Sequence, residues 1–138
     1  MSKEVIEQPD FSTFHDPETI TTIVSSHDQG WDSVFGVQQF PNRMERKVIP
    51  VNKGFYKQSV LVSVEPNTKV AKHSHHEPTF RLILEGAAII NGVEYKVGDW
   101  MVVPKDFPYD METISGYRAL VEYGAKCGSP QISAVTEL

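Results

Sequence analysis

Apolar and polar positions change their spacing near residue 45 of this chain. From there onward, short runs rich in Val, Ile, Leu and aromatic residues alternate with turn residues, and no helical period separates them. Regularly spaced short strands without intervening helices predict an all-β sandwich or barrel for the second two-thirds of the chain. The predicted strand segments lie at residues 46–51, 56–64, 79–86, 87–97, 99–104 and 117–124.

The clearest turn lies inside the fourth of these segments. Asn91-Gly92 separates two apolar stretches, and both residues tolerate the positive φ that a two-residue hairpin turn requires. The pair therefore predicts a β-hairpin.

The residues before position 45 carry mixed signals. Asp16 is suited to cap a helix, and Pro17 is suited to the first helical position. Ile20, Ile23 and Val24 follow at helical spacing, although their β-branched side chains suit a strand nearly as well. We expect a short helix in this N-terminal extension.

Aromatic residues among chain breakers follow this segment. Trp31, Phe35 and Phe40 lie between glycine and proline residues, which predicts a segment laid over the surface of the core. No repeat or linker divides the chain, and 138 residues with 40% apolar content suit a single core. The predicted parts are an N-terminal extension at 1–44, a β-barrel at 45–128 and a C-terminal tail at 129–138.

The charge pattern excludes two classes of partner. The net charge is −5 and the basic residues are scattered, so the chain lacks the basic patch of a nucleic-acid or anionic-membrane binder. No apolar run approaches the roughly 18 residues that suggest a membrane span, and the N-terminus lacks a signal-peptide core. Cys127 is the single cysteine, so no internal disulfide can form. We expect a soluble, cytoplasmic protein whose partner is a small molecule.

A cluster of histidines precedes the segment at 79–86. On an extended chain, residues two apart share a face, so the imidazoles of His73 and His75 project together and could share one first-row metal ion. Protein zinc sites use three or four ligands, so such a metal needs at least one more donor. The alternative interpretation is an exposed polar turn.

Arg81 is predicted to point into the same space as these histidines. Strand alternation places Thr79, Arg81 and Ile83 on one face, and the face of His75 leads into it. A buried arginine is costly without an anionic partner. Two alternatives stay open for Arg81. It binds the carboxylate of a ligand, or it has a structural role, either in an ion pair or as a solvated residue at the barrel mouth. The carboxylates available for an ion pair are Glu65, Glu94, Glu112 and Glu122.

Two ordered motifs resemble those of the cupin superfamily. They are PNTKVAKHSHHEPTFRLILEG at 66–86 and GDWMVVPKDFPYDM at 98–111, joined by a hairpin of the expected length. The resemblance implies a single cupin-type β-barrel, a double-stranded β-helix or jelly roll. The matching positions are His73, His75 and Gly86 in the first motif and Gly98, Asp99 and Pro104 in the second.

The chain departs from the cupin pattern at two metal-ligand positions. Thr79 replaces the expected glutamate and Tyr109 replaces the late histidine, which leaves His73 and His75. The resemblance then leaves two possibilities. These two histidines and a substitute ligand bind a divalent Fe, Mn, Ni or Zn ion, or the site is metal-free. The substitute ligands considered are Glu77, His76, Tyr109 and Glu112.

The resemblance implies a small-molecule enzyme that acts on a carboxylate or enolate in the barrel cavity. The implied reactions are those of dioxygenases, decarboxylases, lyases and isomerases. A metal-free form would use His73 or His75 as general base beside Arg81. A non-catalytic binding protein with a degenerate metal site is the alternative. The catalytic candidates are Arg81 and Tyr109, and the candidate substrate contacts are Arg81, Thr79, Tyr109 and either Gln58 or Tyr56.

The opposite face of the segment at 79–86 is apolar. Phe80, Leu82 and Leu84 are predicted to point outward. Together with the N-terminal aromatic residues they would form the interface of a homodimer.

Overall fold

A computed structural model describes residues 10–33, 43–126 and 135–138 of the chain. Its regular structure is almost entirely β. The strands of the described residues are β1 Val24–Ser25, β2 Gln58–Val64, β3 Thr68–His73, β4 Thr79–Ile90, β5 Val93–Lys96, β6 Trp100–Val103, β7 Tyr109–Thr113, β8 Tyr117–Tyr123 and β9 Val135–Glu137.

The strands form two antiparallel sheets that share β4. The first sheet has the order β1-β6-β4-β8-β2, and the second has the order β5-β4-β7-β3-β9. The main core lies between them and contains Ile83 of β4, Met111 of β7 and Val121 of β8. The predicted all-β jelly-roll fold is confirmed.

The shared strand bends at Gly86. Residues 79–86 of β4 pair in the first sheet, and residues 87–90 pair in the second. Gly86 has a φ of +70°, and a Cβ there would lie 2.0 Å from the carbonyl oxygen of Gly116. Only glycine fits this close approach of two backbones, so this residue allows one strand to serve both sheets.

The outer face of the first sheet is covered by the N-terminal part of the chain. Phe80 is 2% exposed and packs in a second apolar cluster with Trp100, Val24 and Val51. Trp31 packs against the same cluster, with its ring 5.4 Å from that of Trp100. Phe80 does point to the outer face, as predicted, but it is not exposed to a partner, because the chain's own extension buries it.

Both predicted flanking segments contribute a strand to the sheets. β1, from the extension at 1–44, pairs with β6, and β9, from the tail at 129–138, pairs with β3. The predictions for Phe35, Phe40 and Cys127 fall outside the described residues.

The predicted N-terminal helix is wrong. Asp16 does cap a turn, since its Oδ1 accepts from the N–H of Glu18 at 2.9 Å, but the turn ends at Thr19 and the β-branched residues continue into β1. Within the described residues, the helical elements are 3₁₀ turns at Phe11–Thr13, Trp31–Ser33 and Lys53–Phe55. None of these turns has the length and apolar character that crossing a membrane would require.

The local strand predictions had mixed outcomes. The Asn91-Gly92 hairpin is confirmed, with φ of 48° and 80° and a pairing of Ile90 with Val93. The predicted strand at 46–51 is wrong, since only Val51 forms an isolated bridge there, with His15. β3, β7 and β9 were not among the strand segments predicted from the sequence.

Gly86→Ala should lower the free energy of unfolding by at least about 3 kcal/mol, because a backbone clash adds to the ordinary cost of positive φ. Gly92→Ala is the matched control. Gly92 also has positive φ, but a Cβ there meets nothing within 4 Å, so we expect a loss of about 1–2 kcal/mol. Urea denaturation measures both losses, and equal values would contradict the role of Gly86 in the bend.

Candidate ligand cavity

A cavity of about 590 Å³ lies between the two sheets. Side chains from β2, β3, β4, β7, β8 and β9 line it. Four polar residues meet at one end, and we refer to them as the polar cluster: His73, His75, Arg81 and Tyr109. The structure thus brings together the two histidines, the arginine and the tyrosine that the sequence analysis selected.

His73 ends β3 opposite Tyr109 of β7, and the two rings lie 4.5 Å apart. Its Nδ1 is 2.8 Å from the carbonyl oxygen of Ala71. A carbonyl can only accept, so Nδ1 carries the hydrogen and donates it. In the neutral ring, the Nε2 lone pair is then left as the acceptor.

His75 is bound to the same tyrosine. Its Nε2 lies 3.1 Å from the hydroxyl of Tyr109, and its ring is 5.1 Å from that of His73. Burial lowers the pKa of His75 to about 4, and the neighbouring side chains of His73 and Arg81 add to the effect. His75 is therefore neutral near pH 7 and has a nitrogen lone pair that can accept a proton.

Arg81 is buried without a carboxylate partner. It is 5% exposed, and its Nε and Nη1 have no hydrogen-bond partner among the described residues. Tyr109 accepts a hydrogen bond from its side chain. Because a guanidinium stays charged at any physiological pH, the cavity contains a positive charge with free donors.

The carboxylates proposed as ion-pair partners are engaged elsewhere or distant. Glu122 contacts Lys53, and Glu94 lies 3.9 Å from Lys96. Glu65 borders the far end of the cavity, and Arg81 forms no ion pair with any carboxylate in the described residues. At 5% exposure Arg81 is not a solvated mouth residue either. Of the interpretations left open, a bound anion is the one that this geometry favours.

Three predicted substrate contacts do not line the cavity. Thr79 is buried at 2% exposure behind the wall, and its hydroxyl has no partner within the described residues. Gln58 is exposed, and its amide donates to the carbonyl oxygen of Gly124 at 2.9 Å. Tyr56 packs against Phe80 in the cluster on the outer face of the sheet.

Of the four substitute metal ligands considered, Tyr109 lies beside the two histidines, and the other three lie away from them. β3 ends at His73 and the chain turns, so His76 and Glu77 border a different cleft. The carboxylate of Glu77 accepts from the N–H of Lys126 at 3.2 Å, and His76 lies in solvent, 3.4 Å from Asp106. Glu112 is absent from the cavity wall as well.

The polar cluster does not fit a divalent metal ion. It offers two imidazoles, and no group of three or more His, Cys, Asp or Glu side chains suited to a metal occurs in the described part of the chain. The guanidinium of Arg81 borders the same space and would repel a cation. The donors and the charge suit an anion better.

The sequence analysis missed the contribution of β8. Tyr117 and Tyr123 line the cavity, and the hydroxyl of Tyr117 lies 2.7 Å from the sulfur of Met111. The signal was present, since Tyr117, Ala119, Val121 and Tyr123 are two residues apart and share the inward face, opposite Arg118 and Glu122.

Comparison with known proteins adds a family match. The family described as the ChrR cupin-like domain matches residues 22–124 of the chain. No curated protein matches it. Among solved structures, the chain is similar to the conserved SPY1581 protein of unknown function from Streptococcus pyogenes, at 20% identity and a TM-score of 0.43. That alignment covers 50% of this chain and 65% of the other, just under two-thirds of its length.

The stability of the chain should fall as the pH decreases from 6.5 to about 4. His75 has a lowered pKa in the folded state, so over this window the unfolded chain binds a proton that the folded chain does not. Above pH 6.5 this contribution is fully present. Urea denaturation at a series of pH values measures it.

The His75→Gln variant should lose less stability than the wild type over the same window. His76→Gln, at an exposed position, is the control and should follow the wild type. Equal pH slopes for His75→Gln and the wild type would contradict the buried, neutral state of His75.

Proposed function

Because the chain belongs to the ChrR cupin-like domain family, we propose that it is a small-molecule cupin enzyme whose cavity binds a carboxylate or enolate and transfers a proton on it. The observation that carries the proposal is the buried Arg81, whose Nε and Nη1 lack partners in the described residues. An anion would supply the missing acceptors and offset a charge that is costly to bury alone.

Arg81 is suited to orient such an anion. The N–H donors of a guanidinium lie in one plane with fixed directions, which suits the oxygens of a carboxylate. Tyr109 already accepts a hydrogen bond from Arg81 and lies 3.1 Å from the Nε2 of His75, so it connects the anion site to the histidine.

His75 is the group that would move the proton. It is neutral near pH 7, because burial lowers its pKa to about 4. It would take a proton from the carbon next to a carbonyl or carboxylate, and the electron pair left behind would move onto the oxygen. Arg81 would stabilise that oxygen, and return of the proton to carbon would complete an isomerisation or epimerisation. A bound anion would offset the charge of Arg81 and so raise the pKa of His75 toward its ordinary value.

The dioxygenase and decarboxylase reactions that the cupin resemblance implies use a metal ion, which the polar cluster does not fit. A second candidate function is non-catalytic binding of a small anion. Arg81 and the cavity would suffice for it, because neither requires the histidines to change protonation.

Arg81→Leu should weaken the binding of small carboxylates at least about tenfold, because a charge-assisted hydrogen bond contributes about 1.5–3 kcal/mol. The binding of neutral amides of the same size should change little. Isothermal titration calorimetry measures both, and Arg118→Leu, which removes an exposed arginine paired with Glu85, is the matched control. Equal losses for acids and amides would remove Arg81 from the anion site.

His75→Gln should slow proton exchange on bound ligands by about a hundredfold or more, while their affinity stays close to that of the wild type. The measurement follows deuterium incorporation from D₂O into a panel of 2-oxo carboxylates by NMR. His76→Gln is the control, and exchange should survive dialysis against a chelator. If the wild type binds carboxylates but does not exchange their protons for deuterium, the result would instead support the non-catalytic function.

A further inference from the structure

The cavity extends along the strands away from Arg81. Arg81 pairs with Val121, which also pairs with Val60 of β2, so Arg81 and Val60 lie at one level. The opposite end lies at the level of Val64, which pairs with Tyr117. Four residues of extended strand separate the two levels, about 13 Å at 3.3 Å per residue.

An apolar wall lines the cavity from the level of Arg81 to the far end. Val60, Val62 and Val64 alternate with exposed residues along β2 and are partly buried against the main core. Val70 of β3 is paired with Met111 of β7 on one side and with Val135 of β9 on the other. We refer to these six residues as the apolar wall, and all of them line the cavity: Val60, Val62, Val64, Val70, Met111 and Val135.

The only carboxylate lining the cavity in the described residues is at the far end. Glu65 follows Val64 and is exposed, whereas the guanidinium of Arg81 lies at the level of Val60. An anionic group is therefore attracted to the polar cluster and repelled from the far end. The charges orient a bound ligand in one direction along the cavity.

We propose that the natural ligand is a carboxylate with an apolar alkyl or aryl substituent, bound with its carboxylate against Arg81 and its substituent along the apolar wall. The inference rests on the proposed function for the anionic end of the ligand. The volume of about 590 Å³ supports it, since an anion of a few atoms would leave most of the wall in contact with water.

Calorimetric titration with unbranched carboxylates of increasing length tests the substituent. Across acetate, butanoate, hexanoate and octanoate, we expect the affinity to rise by up to about fourfold per methylene, as full burial of each methylene implies. Hexanamide, which has the same chain without the charge, should bind at least about tenfold more weakly than hexanoate.

A variant of the apolar wall separates its role from that of Arg81. Val62→Thr keeps the shape of the side chain and replaces one methyl group with a hydroxyl, so it should weaken octanoate binding several-fold and leave acetate binding unchanged. Val93→Thr, at an exposed position of β5 outside the cavity, is the matched control. Val70→Thr provides a second test should Val62→Thr prevent folding, which the melting temperature reports.

The outcomes distinguish this inference from the proposed function. Equal affinity for acetate and octanoate would overturn the apolar substituent and leave the anion site intact. Equal affinity for hexanoate and hexanamide would show that the charge is not recognised and would overturn the proposed function. If both threonine variants of the wall lost affinity for acetate and octanoate by the same factor, this result would also contradict binding of an apolar substituent along the wall.

Discussion

The buried guanidinium of Arg81 is the constraint on which the site depends. A charge at 5% exposure with two unpartnered donors raises the free energy of the folded state unless something supplies acceptors. The described residues supply only the hydroxyl of Tyr109. Burial lowers the pKa of His75, and the charge of Arg81 adds to that effect and also disfavours a cation in the same space.

The fold places this charge where a ligand can reach it. β4 runs through both sheets and bends at Gly86, so its first half presents Arg81 to the interior and Phe80 to the opposite face. The N-terminal extension then covers Phe80, which leaves the interior as the place where polar groups converge. β2 and β3 belong to different sheets, and both line the cavity.

The residues at the two replaced metal-ligand positions, Thr79 and Tyr109, are consistent with a positively charged cavity that binds an anion. A carboxylate at position 79 would lie two residues from Arg81 on the same face and would offer the guanidinium a partner, but the chain has Thr79 there. Tyr109 stands where a histidine is expected in cupins, and it bonds both Arg81 and His75. The two substitutions remove the donors that a metal requires and leave positive charge that an anion would offset.

The sequence by itself determined the strand class and which residues share a face. Two-residue alternation placed His73, His75 and Arg81 together, and the Asn91-Gly92 hairpin followed from local backbone preference. Tertiary structure decided what local pattern does not encode. The extension covers Phe80, Glu77 turns toward Lys126, and no carboxylate of the described residues lies beside Arg81. All three features depend on contacts between residues that are distant in the chain. For the same reason Val24 joined β1 rather than a helix, because pairing with Val102 of β6 outweighed a weak local preference.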